Sequence, residues 1–164
     1  MIYKSIYKIV LSLFCCLLLV SAGVSSNNSN SYKCMIQLVN YTGEGAYIIV
    51  SVLDNDDNYK ETLRVIGKDE DWYPDLTEWY AYHEKSGQAI DGISGATISG
   101  GERAIFSFNI DEKYIDSNFK LRIETAVEDQ EYHKDDIRLP ILSNATSEKI
   151  EGTGYIRYMK LLKQ

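Results

Sequence analysis

Three groups of residues have types and spacing that could do chemistry. The first is Asp91-Gly92-Ile93-Ser94-Gly95-Ala96-Thr97, a run of small residues ending in a hydroxyl. Ser94, Gly95 and Ala96 carry little bulk, so another protein's active site could approach the backbone closely. Thr97 then offers its hydroxyl. Asp91 and Ser94 can hold the loop's shape by local side-chain to backbone bonds. The same composition also suits a tight connection between strands, with glycines taking unusual dihedrals. The second group is the aromatic cluster Trp72, Tyr73, Trp79, Tyr80 and Tyr82. It reads either as rings pinning a helix to a sheet or as a flat surface for an isoalloxazine or porphyrin. The third is the pair His83 and His133, fifty residues apart, with no Cys or carboxylate at ligand spacing. Such a pair gives no expectation of a metal site.

Other constellations are missing. There is no Gly-X-Ser-X-Gly elbow and no recognisable Cys/His pair, and the acids are scattered as on a solvated face. No catalytic residue is expected. The turn Asp54-Asn55-Asp56-Asp57-Asn58 invites a calcium reading. An EF-hand loop wants glycine sixth and glutamate twelfth. Counted from Asp54 those places hold Tyr59 and Val65, so a polar hairpin tip is expected instead.

The elements that must position these groups are mostly strands. Cys34, Ile36 and Leu38 alternate within Tyr32 to Tyr41. Ala46 to Leu53 is rich in β-branched and aromatic residues and reads as a central strand, with Tyr59 to Ile66 as its hairpin partner. Asp75 and Glu78 form a capping-box pattern ahead of a helix. Leu76, Trp79, Tyr80 and His83 would share its apolar face, and Gly87 would end it. Further strands are expected from Ala104 to Ile110, Phe119 to Val127, Asp136 to Leu142 and Tyr155 to Leu162. In the second of these, Lys120, Arg122 and Glu124 point away from the apolar face. Pro140 makes the third an edge strand. The expectation is an all-β, immunoglobulin-like antiparallel β-sandwich of about seven strands with one short helix.

The beginning of the chain reads as an export signal over residues 1–23. Lys4 and Lys8 precede the apolar run Ile9 to Val20, and Ser21-Ala22-Gly23 supplies small residues for cleavage. The run is short for a membrane span. Phe14 before Cys15 and Cys16 does not suit lipid attachment. A flexible Ser/Asn-rich leader is expected over 24–31 and a single domain over 32–164. Losing two lysines and no acid takes the net charge from −7 to −9. So acidic a chain does not suit nucleic acid, and no membrane insertion is expected after cleavage. Cys34 alone would remain, so packing rather than a disulfide must hold the domain together.

Two resemblances bear on function. Asp91 to Thr97 resembles the flavinylation motif of FMN-carrying domains in bacterial redox pumps, where a flavin transferase joins FMN by a phosphoester to the threonine ending Ser-Gly-Ala-Thr. This implies Thr97 as acceptor, with Asp91, Ser94, Gly95 and Ala96 shaping the loop and Trp72 and Trp79 close to the flavin. The mature chain also resembles a family of predicted periplasmic proteins catalogued as domain of unknown function twenty-two seventy-one. The residues that carry this are Ala46-Tyr47-Ile48-Ile49-Val50, Glu61-Thr62-Leu63-Arg64-Val65, Trp72 to Tyr80, Asp91 to Thr97 and Phe119 to Glu124. That family usually continues the loop as Ala-Thr-Arg and then Pro-Gly, where this chain has Ile98, Ser99 and Gly100. Its members occur with PepSY-type membrane proteins and flavin transferases. The resemblance therefore implies an exported accessory redox protein rather than a stand-alone enzyme. The alternative is a non-catalytic binding module in which the loop is purely structural.

Overall fold

The computed structural model describes residues 28–144 and 148–164. The export signal and the first part of the leader lie outside the described residues. The strands are β1 (Ser29–Leu38), β2 (Tyr47–Leu53), β3 (Tyr59–Ile66), β4 (Ser94–Gly95), β5 (Arg103–Asp111), β6 (Lys120–Ala126), β7 (His133–Pro140) and β8 (Ile156–Lys163). One α-helix, α1, spans Thr77–Ser86.

The strands form the expected sandwich. A three-stranded sheet in the order β5-β1-β8 faces a five-stranded sheet in the order β4-β3-β2-β6-β7. All pairs are antiparallel except β3 with β4. Cys34, Ile36 and Leu38 of β1 meet Ile48, Val50 and Val52 of β2 in the core between the sheets. The other face of the large sheet is also covered. Tyr47, Ile49 and Val65 pack there against Tyr73, Leu76, Trp79 and Ile90. The molecule thus has three layers, with α1 as the third. Strand β2, buried at every residue, accordingly reads as a nearly continuous apolar run.

Several boundaries differ from expectation. β1 begins at Ser29, so residues 29–31 belong to the sheet and not to the leader. Ser29 pairs with Asp111, and Gln164 N–H donates to the Ser31 carbonyl at 2.9 Å. The capping box does not form. Asp75 lies in a 3-10 turn, Glu70–Asp75, whose own cap is Asp69, accepting from Asp71 N–H at 3.2 Å. Leu76 precedes α1 and no side chain caps it. Tyr73 and Leu76 are both buried anchors on the sheet. Burying two such side chains contributes about 2 kcal/mol each, against about 1 kcal/mol for a polar cap. The anchors therefore decide where the helix starts. Gly87, in the left-handed conformation at φ 62°, ends it as expected.

Trp79 is the post on which the third layer stands. It is fully buried, and its Nε1–H donates to Thr62 Oγ1 at 2.9 Å. His83 stacks on it with centroids 4.9 Å apart, and the Tyr73 ring meets it edge to face at 5.1 Å. Trp79→Ala should lower unfolding stability by roughly 3–5 kcal/mol, read as a reduced urea midpoint. A loss below about 1 kcal/mol would mean that α1 docks without it.

Candidate functional site

The loop carrying Thr97 is held from both sides. Asp91–Ile93 makes a 3-10 turn, closed by Ile93 N–H donating to the Ile90 carbonyl at 2.9 Å. Ser94 Oγ donates to the Asp91 carbonyl at 3.3 Å, the local bond expected of it. Asp91 contributes through its backbone, and its side chain is exposed. Ser94 and Gly95 then form β4, beside Val65 and Ile66 of β3, where a plain loop was expected. Gly67 N–H donates to the Gly95 carbonyl at 2.7 Å. Beyond Thr97, Ile98 is buried and exchanges two backbone bonds with Ala46, at 2.7 and 3.3 Å. Tyr41 adds its hydroxyl to the Ile98 carbonyl at 2.8 Å.

Between these anchors Ala96 and Thr97 are exposed. A Cβ added at Gly45 would come within 2.4 Å of Thr97 Oγ1, so only a glycine lets the loop lie this close to the Gly45 backbone. A shallow hollow of about 290 Å³ beside Thr97 is lined by Ala96, Tyr47, Lys68, Asp69 and Glu128. Burial, with Glu128 nearby, pushes the Tyr47 phenol up to about 12.

The two tryptophans do not line this hollow. Trp79 is sealed in the third layer, which removes it as a surface for a cofactor; the cluster's rings pin the helix to the sheet. Trp72 is half-buried at the edge of the same layer. The aromatic ring that lines the hollow with Thr97 is Tyr47.

A polar cluster on β6 is the feature that sequence reasoning missed. Glu124 is fully buried on the face turned toward the third layer. Tyr59 donates its hydroxyl to Glu124 Oε1 at 2.6 Å, and Tyr132 donates to Oε2. Arg122, also buried, donates from Nη1 to the Tyr59 oxygen at 3.1 Å and from Nε to Asp135 at 2.9 Å. The Tyr82 ring stacks on Tyr59 at 5.1 Å. Burial pushes the Glu124 carboxyl up to about 7, against the opposing pull of the Tyr132 and Tyr59 hydroxyls and the Arg122 charge. The sequence shows only a carboxylate in mid-strand. In the structure β6 runs beside β2, which is covered on both faces, so Glu124 shares that cover and needs internal donors.

Among the described residues no group of three or more His, Cys, Asp or Glu side chains is placed to hold a metal ion. Nor is any described helix long and apolar enough to cross a membrane.

A raised carboxyl pKa means that the folded state keeps a proton that the unfolded state has released. Stability should therefore fall as pH rises from 4.5 toward about 7 and level off above it. The full loss amounts to about 3 kcal/mol. Urea unfolding of the wild type and of Glu124→Gln across this window should show the decline in the first and a flatter profile in the second. Equal slopes would place the titration elsewhere.

No curated protein and no solved structure matches the chain. A family model, described as "Predicted periplasmic protein (DUF2271)", matches residues 29–158. The match takes in every strand from β1 to β7, α1, the Thr97 loop and the Glu124 cluster. The chain belongs to this family of predicted periplasmic proteins.

Proposed function

We propose that this protein is an extracytoplasmic redox accessory that carries FMN covalently on Thr97. The observation that carries the reading is the setting of the Thr97 side chain. It is exposed, and it sits between two backbone anchors, β4 and the Ala46–Ile98 bridge. A transferase could reach it without unfolding the sheet. Thr97 Oγ would lose its proton and bond to the FMN phosphorus. The donor must carry a phosphoanhydride, as a flavin dinucleotide does, because its nucleoside monophosphate can then leave. Tyr47 and Lys68, which line the adjoining hollow, would lie near the attached group. This protein would supply position and electrostatics while the flavin moves electrons. A flavin transferase and a PepSY-type membrane protein are the partners this reading requires.

The second reading is a non-catalytic binding module with a structural loop. The pairing of Ser94 and Gly95 with β3 favours it, because that pairing gives the loop work to do without a flavin.

Intact mass separates the two. Co-expressed with a flavin transferase, the wild-type protein should gain the mass of one FMN and Thr97→Ala should gain none. The same mass gain in Thr97→Ala would move the acceptor to another residue. No gain in the wild type would leave the binding module.

A further inference from the structure

The two sheets do not match in width. On one side of the sandwich the edge of β3 is closed by other parts of the chain. The Gln88 side chain accepts from Thr62 N–H at 2.9 Å and donates to the Thr62 carbonyl at 2.7 Å, as a neighbouring strand would. β4 pairs further along, with Val65 and Ile66. Above it, β5 is the edge of the small sheet, and no described strand pairs with its outer side.

The direction of the unused β5 groups follows from the register. Leu38 N–H donates to the Glu102 carbonyl and Glu112 N–H to the Asn28 carbonyl, at 3.0 and 2.9 Å. Both bonds continue the β1–β5 register one step beyond its two ends, at even-numbered positions. In an antiparallel pair, bonded and non-bonded positions alternate. The backbone groups of Arg103, Ile105, Ser107 and Asn109 therefore face away from β1. They form a free edge that begins beside Ile105, whose side chain is 59% exposed.

Beside this edge lies a cleft of about 390 Å³, lined by Ser107 and Asn109 of β5, Glu61 and Arg64 of β3, and Gln88 and Ile93. Arg64 pairs with Val50 of the inter-sheet core, so its side chain starts out between the sheets. Its Nε is buried and has no hydrogen-bond partner among the described residues. Glu61 lines the same cleft and forms no ion pair with it. A Cβ added at Gly95 would come within 3.2 Å of Arg64 Nη2, so the glycine leaves room for the guanidinium.

We infer that the bare edge of β5 takes up an extended acidic segment of another protein as a fourth strand of the small sheet, with a carboxylate of that segment meeting Arg64. A row of backbone groups over four alternating residues fits a strand better than a small anion. Strand addition of this kind takes affinity from main-chain bonds and selectivity from side-chain pockets. Arg64, whose buried Nε has no partner among the described residues, is the group in the cleft that calls for a carboxylate.

The test uses a random peptide library displayed on phage and panned against the whole protein. The enriched peptide is then synthesised and titrated calorimetrically. Ser107→Pro removes one free N–H at a position where an edge strand tolerates proline. Arg64→Gln removes the cation, and Lys160→Ala is a control on the far side of the small sheet. Enriched peptides should be rich in Asp and Glu. Ser107→Pro and Arg64→Gln should each weaken binding by about tenfold or more, and Lys160→Ala should leave it unchanged. Should Ser107→Pro fail to fold, N-methylation of the peptide at successive positions replaces it, and binding should be lost with a period of two. Failure to enrich any peptide would overturn the inference. So would binding that ignores Ser107→Pro or N-methylation, and so would a dimer of the free protein in sedimentation that pairs through β5.

Discussion

Strand β2 has no wet face. All of its residues from Tyr47 to Leu53 are buried, half against the small sheet and half under α1 and the 3-10 turn before it. Burial on both sides stabilises the centre of the large sheet, and it also removes water as a partner for every polar group nearby. Several polar residues around β2 are accordingly paired inside the protein, while the Ser51 hydroxyl has no partner among the described residues. Thr62 accepts from Trp79, Thr125 donates to Asp136 at 2.6 Å, and Glu124 holds two phenols. Asp136 also accepts the backbone N–H groups of Thr153, Gly154 and Ile156, which ties the entry to β8 onto β7. One carboxylate thereby helps close the sandwich.

The same constraint shapes the Thr97 loop. A segment crossing the open side of the large sheet must satisfy the edge of β3 and return to the core. Gln88, β4 and buried Ile98 do so at three separate points. Only Ala96 and Thr97 lie between the last two, and both are exposed. Structural duty and exposure of Thr97 therefore do not compete. A loop pinned on either side of its tip holds the Thr97 side chain still, and the ordering cost is met on folding.

Much of this fold was legible in the residues. Period-two alternation located strands such as β1 and β5, whose buried faces differ sharply from their opposites, and β-branched and aromatic content located β2, which is buried on both. Pro140 correctly placed β7 at an edge, and Gly87 ended the helix. The start of the helix was misread because Asp75 and Glu78 obey a local rule that Tyr73 and Leu76 override by burial. The Glu124 cluster was hidden for a related reason. Alternation on β6 shows which residues face away from the inter-sheet core, but it does not show what covers them. The cover comes from Tyr59, Tyr82 and Tyr132, which are brought to Glu124 by three different elements. The same blindness to long-range contact made Trp79 look like a possible cofactor surface when it is the centre of a layer.

Sheet edges are a hazard that folded proteins usually manage, and the treatment of edges here is uneven. β7 ends in proline, and Thr153 N–H donates to its Asp136 carbonyl at 3.0 Å. β8 is bridged by Ile150, which exchanges two backbone bonds with Met159 at 2.9 and 2.7 Å. β3 has a side-chain amide standing in for a strand. β5 has no such cover among the described residues, although it is nine residues long and carries Ile105 near its start. Its protection against indiscriminate pairing is electrostatic. Arg103 on the strand and Arg64 in the cleft repel a cationic or like strand and leave an acidic one favoured. An edge guarded by charge instead of by cover discriminates among partners, whereas a covered edge excludes them all.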